Sequence, residues 1–320
     1  MKKLVLHVGY PKTGTTSIQD GLFFSLNDNI NYLGITKATL SDYHNLFRRI
    51  LRPWITSRGE EGREELKLLL ADRLIDGMNL LSEESFINSR SNPGRIFDPV
   101  EIKQLLAPLS DSIDVVIVIR NQIDLIHSLY AHGGIIDKYG NAQNAKTYIN
   151  ICLTNKENRL FFCFTDVIKK YKSVFGEHKV HILLFEDFLS DKDSYFNGWA
   201  KILGIPNKIL AENMRDVHLN KKKQTFDGSY ITDIKSEPNK LKRFIKNLSL
   251  AHSIFSRLSK YKIIQNISTA LNQPVEKKLV VPAFTDEEKF QIKQEFIQDN
   301  LELLNIINSD KEKLKAYNYI

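Results

Sequence analysis

The sequence predicts an α/β fold: a three-layer sandwich in which a central, mainly parallel sheet is flanked by helices, with a helix-rich C-terminal half. Three observations predict it. Short apolar, β-branched runs alternate with segments of helical apolar spacing, the order that builds a parallel sheet through right-handed crossovers. Two of the runs, Leu4 to Val8 and Asp114 to Ile119, are almost continuously aliphatic, as strands covered on both faces must be. Glycine, serine or arginine follows directly on these runs, at the C-terminal strand ends where open α/β sheets bind their ligands. At 320 residues, 42% hydrophobic and 26% charged, the chain can bury a large core. No fixed-period repeat, proline-rich linker or low-complexity segment divides it, so one domain over residues 1–320 is expected.

Taken in order, residues 4–8 (LVLHV) read as the first strand; Met1-Lys-Lys before them imitates a signal peptide, but the apolar run is far too short and reads as core. Gly9, Pro11 and Gly14 then force a tight turn, and a helix over 15–25 opens with the hydroxyls of Thr15, Thr16 and Ser17. The free amides at that helix start, with the positive end of its dipole, form an anion site. A helix over about 60–76, a strand over 78–82 and a helix over 98–107 follow, then a strand over 113–119 that ends on Arg120. Helix 121–132 has Asn121 as its N-cap and Ile123, Leu125, Ile126 and Leu129 as its apolar face. Helices run through 145–175, then come a strand over 179–185, a turn at Glu186-Asp187 and a helix over 193–203. Helices dominate from there to the end, and the polar stretch Asn220 to Asn239 reads as a loop over a site.

Gly9-x4-Gly14 has the glycine spacing of a P-loop, GxxxxGK[ST], but Thr15 stands where the lysine belongs, and Lys12 inside the turn is the loop's lysine. An ATPase needs that lysine on the β/γ-phosphates and a hydroxyl on Mg²⁺; the displaced charge of Lys12 instead leans over a terminal group bound at the turn, so the fold is P-loop-like and a nucleotide kinase is the weaker reading. A second anion position follows from Arg120, because a buried strand ending in arginine needs an anion; Ser128 lies on the helix that follows.

PKTGTTSIQ resembles the 5′-phosphosulfate loop of the sulfotransferases that use 3′-phosphoadenosine 5′-phosphosulfate (PAPS), on Pro11, Lys12, Gly14, Thr15, Thr16 and Gln19. RNQIDLIHS resembles their second motif, whose arginine and serine hold the 3′-phosphate; the family often begins it Arg-Asp-Pro, whereas this chain has Arg120-Asn121-Gln122 and lacks the proline. Val180 to Ile205 is similar in its strand, acidic pair and helix, with Glu186 and Asp187 given a structural part, and VVPAFTDEEKFQIKQEFIQDNLELL resembles the closing helix of bacterial carbohydrate-type members.

The resemblance implies transfer of the sulfuryl group from PAPS to a hydroxyl of a carbohydrate or glycolipid of the bacterial surface, leaving adenosine 3′,5′-bisphosphate (PAP), with no metal. It implies that Lys12 contacts the bridging oxygen and sulfate, and that the loop Pro11, Lys12, Thr13, Gly14, Thr15, Thr16 and Ser17 holds the 5′-phosphosulfate. Arg120 and Ser128 would hold the 3′-phosphate, and Asn220, Lys221 and Lys222 would join them from a lid over 218–230. Related carbohydrate sulfotransferases place a glutamate base after the second predicted strand. Glu83 and Glu84 stand there; alternation allows only one to face the cleft, and serine-x-glutamate favours Glu84. His44, in DYHNLF, is the histidine that competes for contact with the acceptor. His7 reads as a core residue, His127 as turned away from Ser128, and His132 as a helix-end residue. A P-loop-type kinase or a non-catalytic nucleotide-binding homologue are the alternatives.

The net charge is +7, yet lysines and acids are interspersed over much of the chain. The basic excess lies at Lys221 to Lys223 and from Lys235 to Lys262, with no RNA-binding or zinc-finger signature, which argues against nucleic acid. An anionic nucleotide, an anionic glycan or peripheral contact with an anionic membrane accounts for it. No run of about 18 apolar residues could anchor the chain. Cys152 and Cys163 lack metal-type spacing and read as reduced thiols, which places the protein in the cytoplasm. Acceptor identity and oligomeric state stay open.

Overall fold

Five apolar segments pair into one parallel sheet: β1 (Lys2–His7), β2 (Asn31–Gly34), β3 (Gly77–Ser82), β4 (Ser112–Ile119) and β5 (Val180–Leu184), in the order β2-β3-β1-β4-β5. The structure, a computed structural model, describes residues 1–23, 26, 30–34, 60–87, 98–134, 143–214, 229–235 and 276–320. These belong to two compact units, one of residues 1–220 with 284–320 and one of 221–283.

The sheet is the frame of the first unit. His7 stands level with Ser82 and Val116, Gly34 with Ser82, and Ile119 with Leu184, so all five strands point one way and end at a common rim. β1 is central, and Leu4, Val5, Leu6 and Val8 are all at most 2% exposed. Residues alternate between the faces. Val5, Leu80, Val116 and Val118 pack on one face with Phe23, Phe188, Phe196 and Trp199. Phe164, Val167, Ile168, Tyr171 and Phe175, which fall on one face of a single helix, are buried outside that cluster, and their helix contacts β4 and β5. Helices thus cover both faces of the parallel sheet, as predicted.

The helices are α1 (Thr15–Ser17), α2 (Glu60–Arg73), α3 (Pro99–Leu106), α4 (Gln122–Leu129), α5 (Ala145–Thr154), α6 (Lys156–Phe162), α7 (Phe164–Phe175), α8 (Phe185–Ser190), α9 (Lys192–Leu203), α10 (Asn207–Met214), α11 (Asp286–Ile307) and α12 (Lys311–Ala316). Several differ from expectation for local reasons. The helix expected over 15–25 is α-helical only in α1 and widens into a π-helix over Ile18–Phe23; α4 likewise continues as a π-helix over Tyr130–Gly134. The 145–175 stretch breaks at Asn155, whose side chain accepts from Asn158 N at 3.0 Å and caps a new helix, and again at Cys163. Glu186 and Asp187, expected in a turn, lie in the first turn of α8. β2 was not predicted, since four residues (NYLG) are too few to display a period. α11 begins on a capping box, with Glu288 N donating to Thr285 Oγ1 at 3.2 Å and Thr285 N to Glu288 Oε2 at 2.8 Å.

The second unit contains an antiparallel pair, β6 (Tyr230–Lys235) with β7 (Glu276–Val281), Tyr230 standing opposite Val281 and Lys235 opposite Glu276. This pair is the strand element within a C-terminal region expected to be dominated by helices, and its two strands were not individually expected. YITDIK and EKKLVV are short and charge-interrupted, and their partners lie far apart in sequence. Among the described residues no helix is long and apolar enough to cross a membrane. Both cysteines are free and buried, and burial pushes the Cys152 thiol up to about 12 and the Cys163 thiol up to about 11, which keeps them protonated and unreactive.

Candidate active site

The rim begins where β1 ends. Val8 N and Tyr10 N donate to the carbonyls of Val116 and Val118 at 3.0 and 3.1 Å, so the chain stays paired to β4 for three residues past the strand. It then turns sharply. Lys12 has φ +68° and Gly14 φ +74°, and the Thr13 hydroxyl donates to the Tyr10 carbonyl at 2.6 Å, closing the turn from inside. Gly14 is required twice over: a Cβ there would meet Phe185 Cε2 at 2.8 Å, in a backbone conformation that L side chains avoid. Gly9 is required by close approach, because its Cβ would stand 2.7 Å from His7 Nε2. α1 starts directly on Gly14. Thr15 and Ser17 are buried at 3% and 5%, with Thr15 Oγ1 3.4 Å from Thr13 Oγ1, while Thr16 is exposed at the helix start.

The second motif meets the first. Arg120 follows β4, and its Nη1 donates to the Lys12 carbonyl at 3.1 Å. The guanidinium lies over the Phe185 ring at 5.0 Å, its Nη2 is 3.7 Å from Asp124 Oδ2, and its buried Nε has no hydrogen-bond partner among the described residues. An unsatisfied buried guanidinium N–H costs free energy and suits an anionic ligand. Ser128 is half-buried on α4, in the helix that Asn121 caps through Asp124 N at 2.9 Å. The structure thus brings Lys12 and Arg120 together from positions far apart in sequence.

Beneath the loop lies a buried polar group. His7 Nδ1 is 2.8 Å from Ser82 Oγ, and Gln19 Nε2 donates to that oxygen at 2.9 Å and to the Ser82 carbonyl at 3.3 Å. The His7 ring is packed edge-on against Phe23 and Trp199, and burial pushes its pKa down to about 3, so it is a neutral core residue whose Nε2 has no partner among the described residues. Gln19 therefore ties the helix that follows the glycine turn to the end of β3. Directly after Ser82, Glu83 N donates to the His7 carbonyl at 3.1 Å, extending the ladder. The two adjacent acids then separate. Glu83 is 6% exposed, and its charge, with that of Asp20, helps burial raise the Tyr32 phenol; Glu84 is half-buried at the start of a 3₁₀ turn, Glu84–Phe86.

The sequence assigns Glu186 a structural part and no chemistry. In the structure its Oε1 accepts from Asn121 N at 2.8 Å and from Asn121 Nδ2 at 3.0 Å, and its Oε2 accepts from Tyr319 OH at 3.1 Å. Burial pushes its pKa up to about 7, against these hydrogen bonds and the nearby Arg120 charge, which act to lower it. Its position just past an apolar strand was the available signal. Asp187 is paired with Lys313 at 2.8 Å and accepts from Tyr317 OH at 2.8 Å. His127 is buried at 4.4 Å from the Phe284 ring, and His132 is exposed in the π-helical turn. His44, Asn220, Lys221, Lys222 and most of the 218–230 stretch lie outside the described residues. Among the described residues no three His, Cys, Asp or Glu side chains gather as a metal site.

A parallel sheet with a glycine turn opening a helix after its central strand, and an arginine on the neighbouring strand end, defines a P-loop-like α/β protein. The family model described as the sulfotransferase domain matches residues 2–249. The chain belongs to the sulfotransferase family, and it is an enzyme of the PAPS-dependent sulfotransferase class. Among solved structures it is similar to a sulfotransferase from Alicyclobacillus acidocaldarius, with 14% identity over 98% of this chain and 97% of that one and a TM-score of 0.49. It is also similar to mouse sulfotransferase SULT7A1 complexed with PAP, with 14% identity over 68% of this chain and 64% of that one, TM-score 0.38. A sulfotransferase domain from the curacin biosynthetic pathway matches at 9% identity over 67% and 77%, TM-score 0.37. No curated protein matches the sequence.

Proposed function

We propose that this enzyme moves the sulfuryl group of PAPS to a hydroxyl of a carbohydrate or glycolipid of the bacterial surface, releasing PAP. The observation that carries the reading is the 3.1 Å hydrogen bond from Arg120 Nη1 to the Lys12 carbonyl. It joins two cationic anion positions, and a nucleotide with a 5′-phosphosulfate and a separate 3′-phosphate fills both, whereas ATP leaves the second empty. The unpartnered Arg120 Nε supports the same choice.

In this reading the amides of Gly14, Thr15 and Thr16 and the first-turn hydroxyls, including Ser17, hold the 5′-phosphosulfate at the start of α1, in the turn shaped by Pro11 and Thr13. Arg120 and Ser128 hold the 3′-phosphate. The reaction breaks the bond between sulfur and the phosphate oxygen and forms one between sulfur and the acceptor oxygen. Lys12 stabilises the charge that grows on the departing phosphate oxygen, and the acceptor's proton passes to a carboxylate. Glu84 is that base: it is half-buried after β3, while Glu83 is turned into the protein beside Tyr32. The scheme needs no metal. The reading places the enzyme in the cytoplasm, with the basic excess serving an anionic glycan or a membrane-bound glycolipid rather than nucleic acid. The family match runs from the first unit into the second, which supports treating residues 1–320 as one sulfotransferase domain.

Calorimetric titration with PAP and with ATP tests the donor: PAP should bind more tightly, and a preference for ATP overturns the assignment. Arg120→Ala should weaken PAP and spare adenosine 5′-phosphate, which has no 3′-phosphate. Incubation with labelled PAPS and a panel of glycans, glycolipids, phenols and amines tests the acceptor; label appearing only on phenols or amines refutes the carbohydrate hydroxyl.

A further inference from the structure

We propose that the 3′-phosphate clamp is set by a closed ring of buried side chains that reaches into the C-terminal segment, making Asn121, Gln122, Glu186, Asn300 and Tyr319 positioning residues for Arg120. The proposal rests on Arg120 being the 3′-phosphate ligand.

The ring can be followed bond by bond. Asn121 N and Nδ2 donate to Glu186 Oε1 at 2.8 and 3.0 Å. Tyr319 OH donates to Glu186 Oε2 at 3.1 Å, and the Tyr319 carbonyl accepts from Asn300 Nδ2 at 2.8 Å. Asn300 and Gln122 exchange a reciprocal amide pair, Asn300 Nδ2 to Gln122 Oε1 at 3.0 Å and Gln122 Nε2 to Asn300 Oδ1 at 2.9 Å. The peptide bond from Gln122 back to Asn121 closes it. All five members are buried, Glu186 being the most exposed at 7%. A buried polar network with its partners in place specifies one geometry, because every alternative arrangement strands a polar group away from water.

What it specifies is the exit of the chain from β4. Glu186 holds the backbone amide that immediately follows Arg120, so it fixes the peptide plane from which the arginine side chain departs. Arg120 needs that support, since its own restraints are the Lys12 carbonyl, the face of Phe185 and a 3.7 Å approach to Asp124. Gln122 is the first residue of α4, a position at which proline pre-organises a helix start by its fixed φ. Here a tertiary amide pair from α11 does that work instead, with a further bond from Gln122 Nε2 to the Phe162 carbonyl at 3.2 Å.

The test compares PAP with adenosine 5′-phosphate by calorimetry on the full chain. Asn300→Leu opens the ring at the amide pair, and Tyr319→Phe removes one hydroxyl while keeping the shape, so at least one folded variant is available for measurement. Each should weaken PAP about tenfold, the lower end of what a hydrogen bond to a charged group is worth, and leave adenosine 5′-phosphate unchanged. Gln122→Pro added to Asn300→Leu should restore the PAP affinity. The backbone allows it, because Asn121 has φ −50° and ψ 143°, extended as a residue before proline must be. Variants that keep the wild-type preference for PAP, or that lose both nucleotides equally, overturn the positioning role. A wild type that binds the two nucleotides equally overturns instead the assignment of Arg120 on which the proposal stands.

Discussion

Replacing His7 by leucine and Glu186 by glutamine, one at a time, should tilt the pH dependence of stability in opposite directions. Burial takes His7 from 6.5 down to about 3, so the folded state resists its protonation; the stability this group contributes is complete above pH 6.5 and is lost as pH falls through 6.5 towards 3. Burial takes Glu186 from 4.5 up to about 7, so the folded state favours its proton; that contribution is complete below pH 4.5 and is lost as pH rises through about 7. One pKa unit is worth about 1.4 kcal/mol. On going from about pH 7.5 to about pH 4.5, His7 therefore removes about 3 kcal/mol and Glu186 restores a similar amount, so in the wild type the two oppose each other.

Urea unfolding of the wild type and each variant at a series of pH values separates them, because subtracting the wild-type curve removes every other titrating group. The stability of His7→Leu relative to the wild type should rise by about 3 kcal/mol across that fall in pH, whatever constant loss the altered packing adds. That of Glu186→Gln should fall by about 3 kcal/mol over the same interval. A difference curve that stays flat for either variant refutes the corresponding burial argument, since it means the group titrates alike in the folded and unfolded chain.

Lys12→Ala should keep PAP affinity within a few-fold while transfer drops by about a hundredfold or more, as expected of a charge that acts mainly in the transition state; initial rates with labelled PAPS check this. Glu84→Gln should lower kcat with little change in PAP affinity, whereas Glu83→Gln should register first in thermal stability, and the reverse pattern would exchange their roles. Gly14→Ala should cost about 2–4 kcal/mol, combining a left-handed backbone with overpacking against Phe185, and a calorimetric melt reads it.

The sequence displays what depends on neighbours along the chain and hides what depends on contacts across it. β1 and β4 are legible because strands covered on both faces must be aliphatic throughout, and the loop is legible because its glycines answer to backbone geometry. β2 escapes because an edge strand of four residues carries no period. The positive φ of Lys12 has no sequence signal, lysine being an uncommon occupant of that region. His7 reads correctly as a core residue, but its bond to Ser82 spans 75 positions. Glu186 is visible as an acid after a strand, yet the chemistry around it comes from Asn121 and Tyr319, 65 and 133 positions away. The proline that the family often carries is replaced by Gln122, which the structure presents held by Asn300.

On the proposed donor site, the left-handed turn at Lys12 would join the loop for the 5′-phosphosulfate to the arginine for the 3′-phosphate. A lysine in that conformation carries about 1–2 kcal/mol of backbone strain, and the Arg120 hydrogen bond to its carbonyl is a tertiary contact that offsets part of it. Loss of that contact would therefore appear as a fall in folding stability, separate from any change in affinity for the 5′-end of the nucleotide.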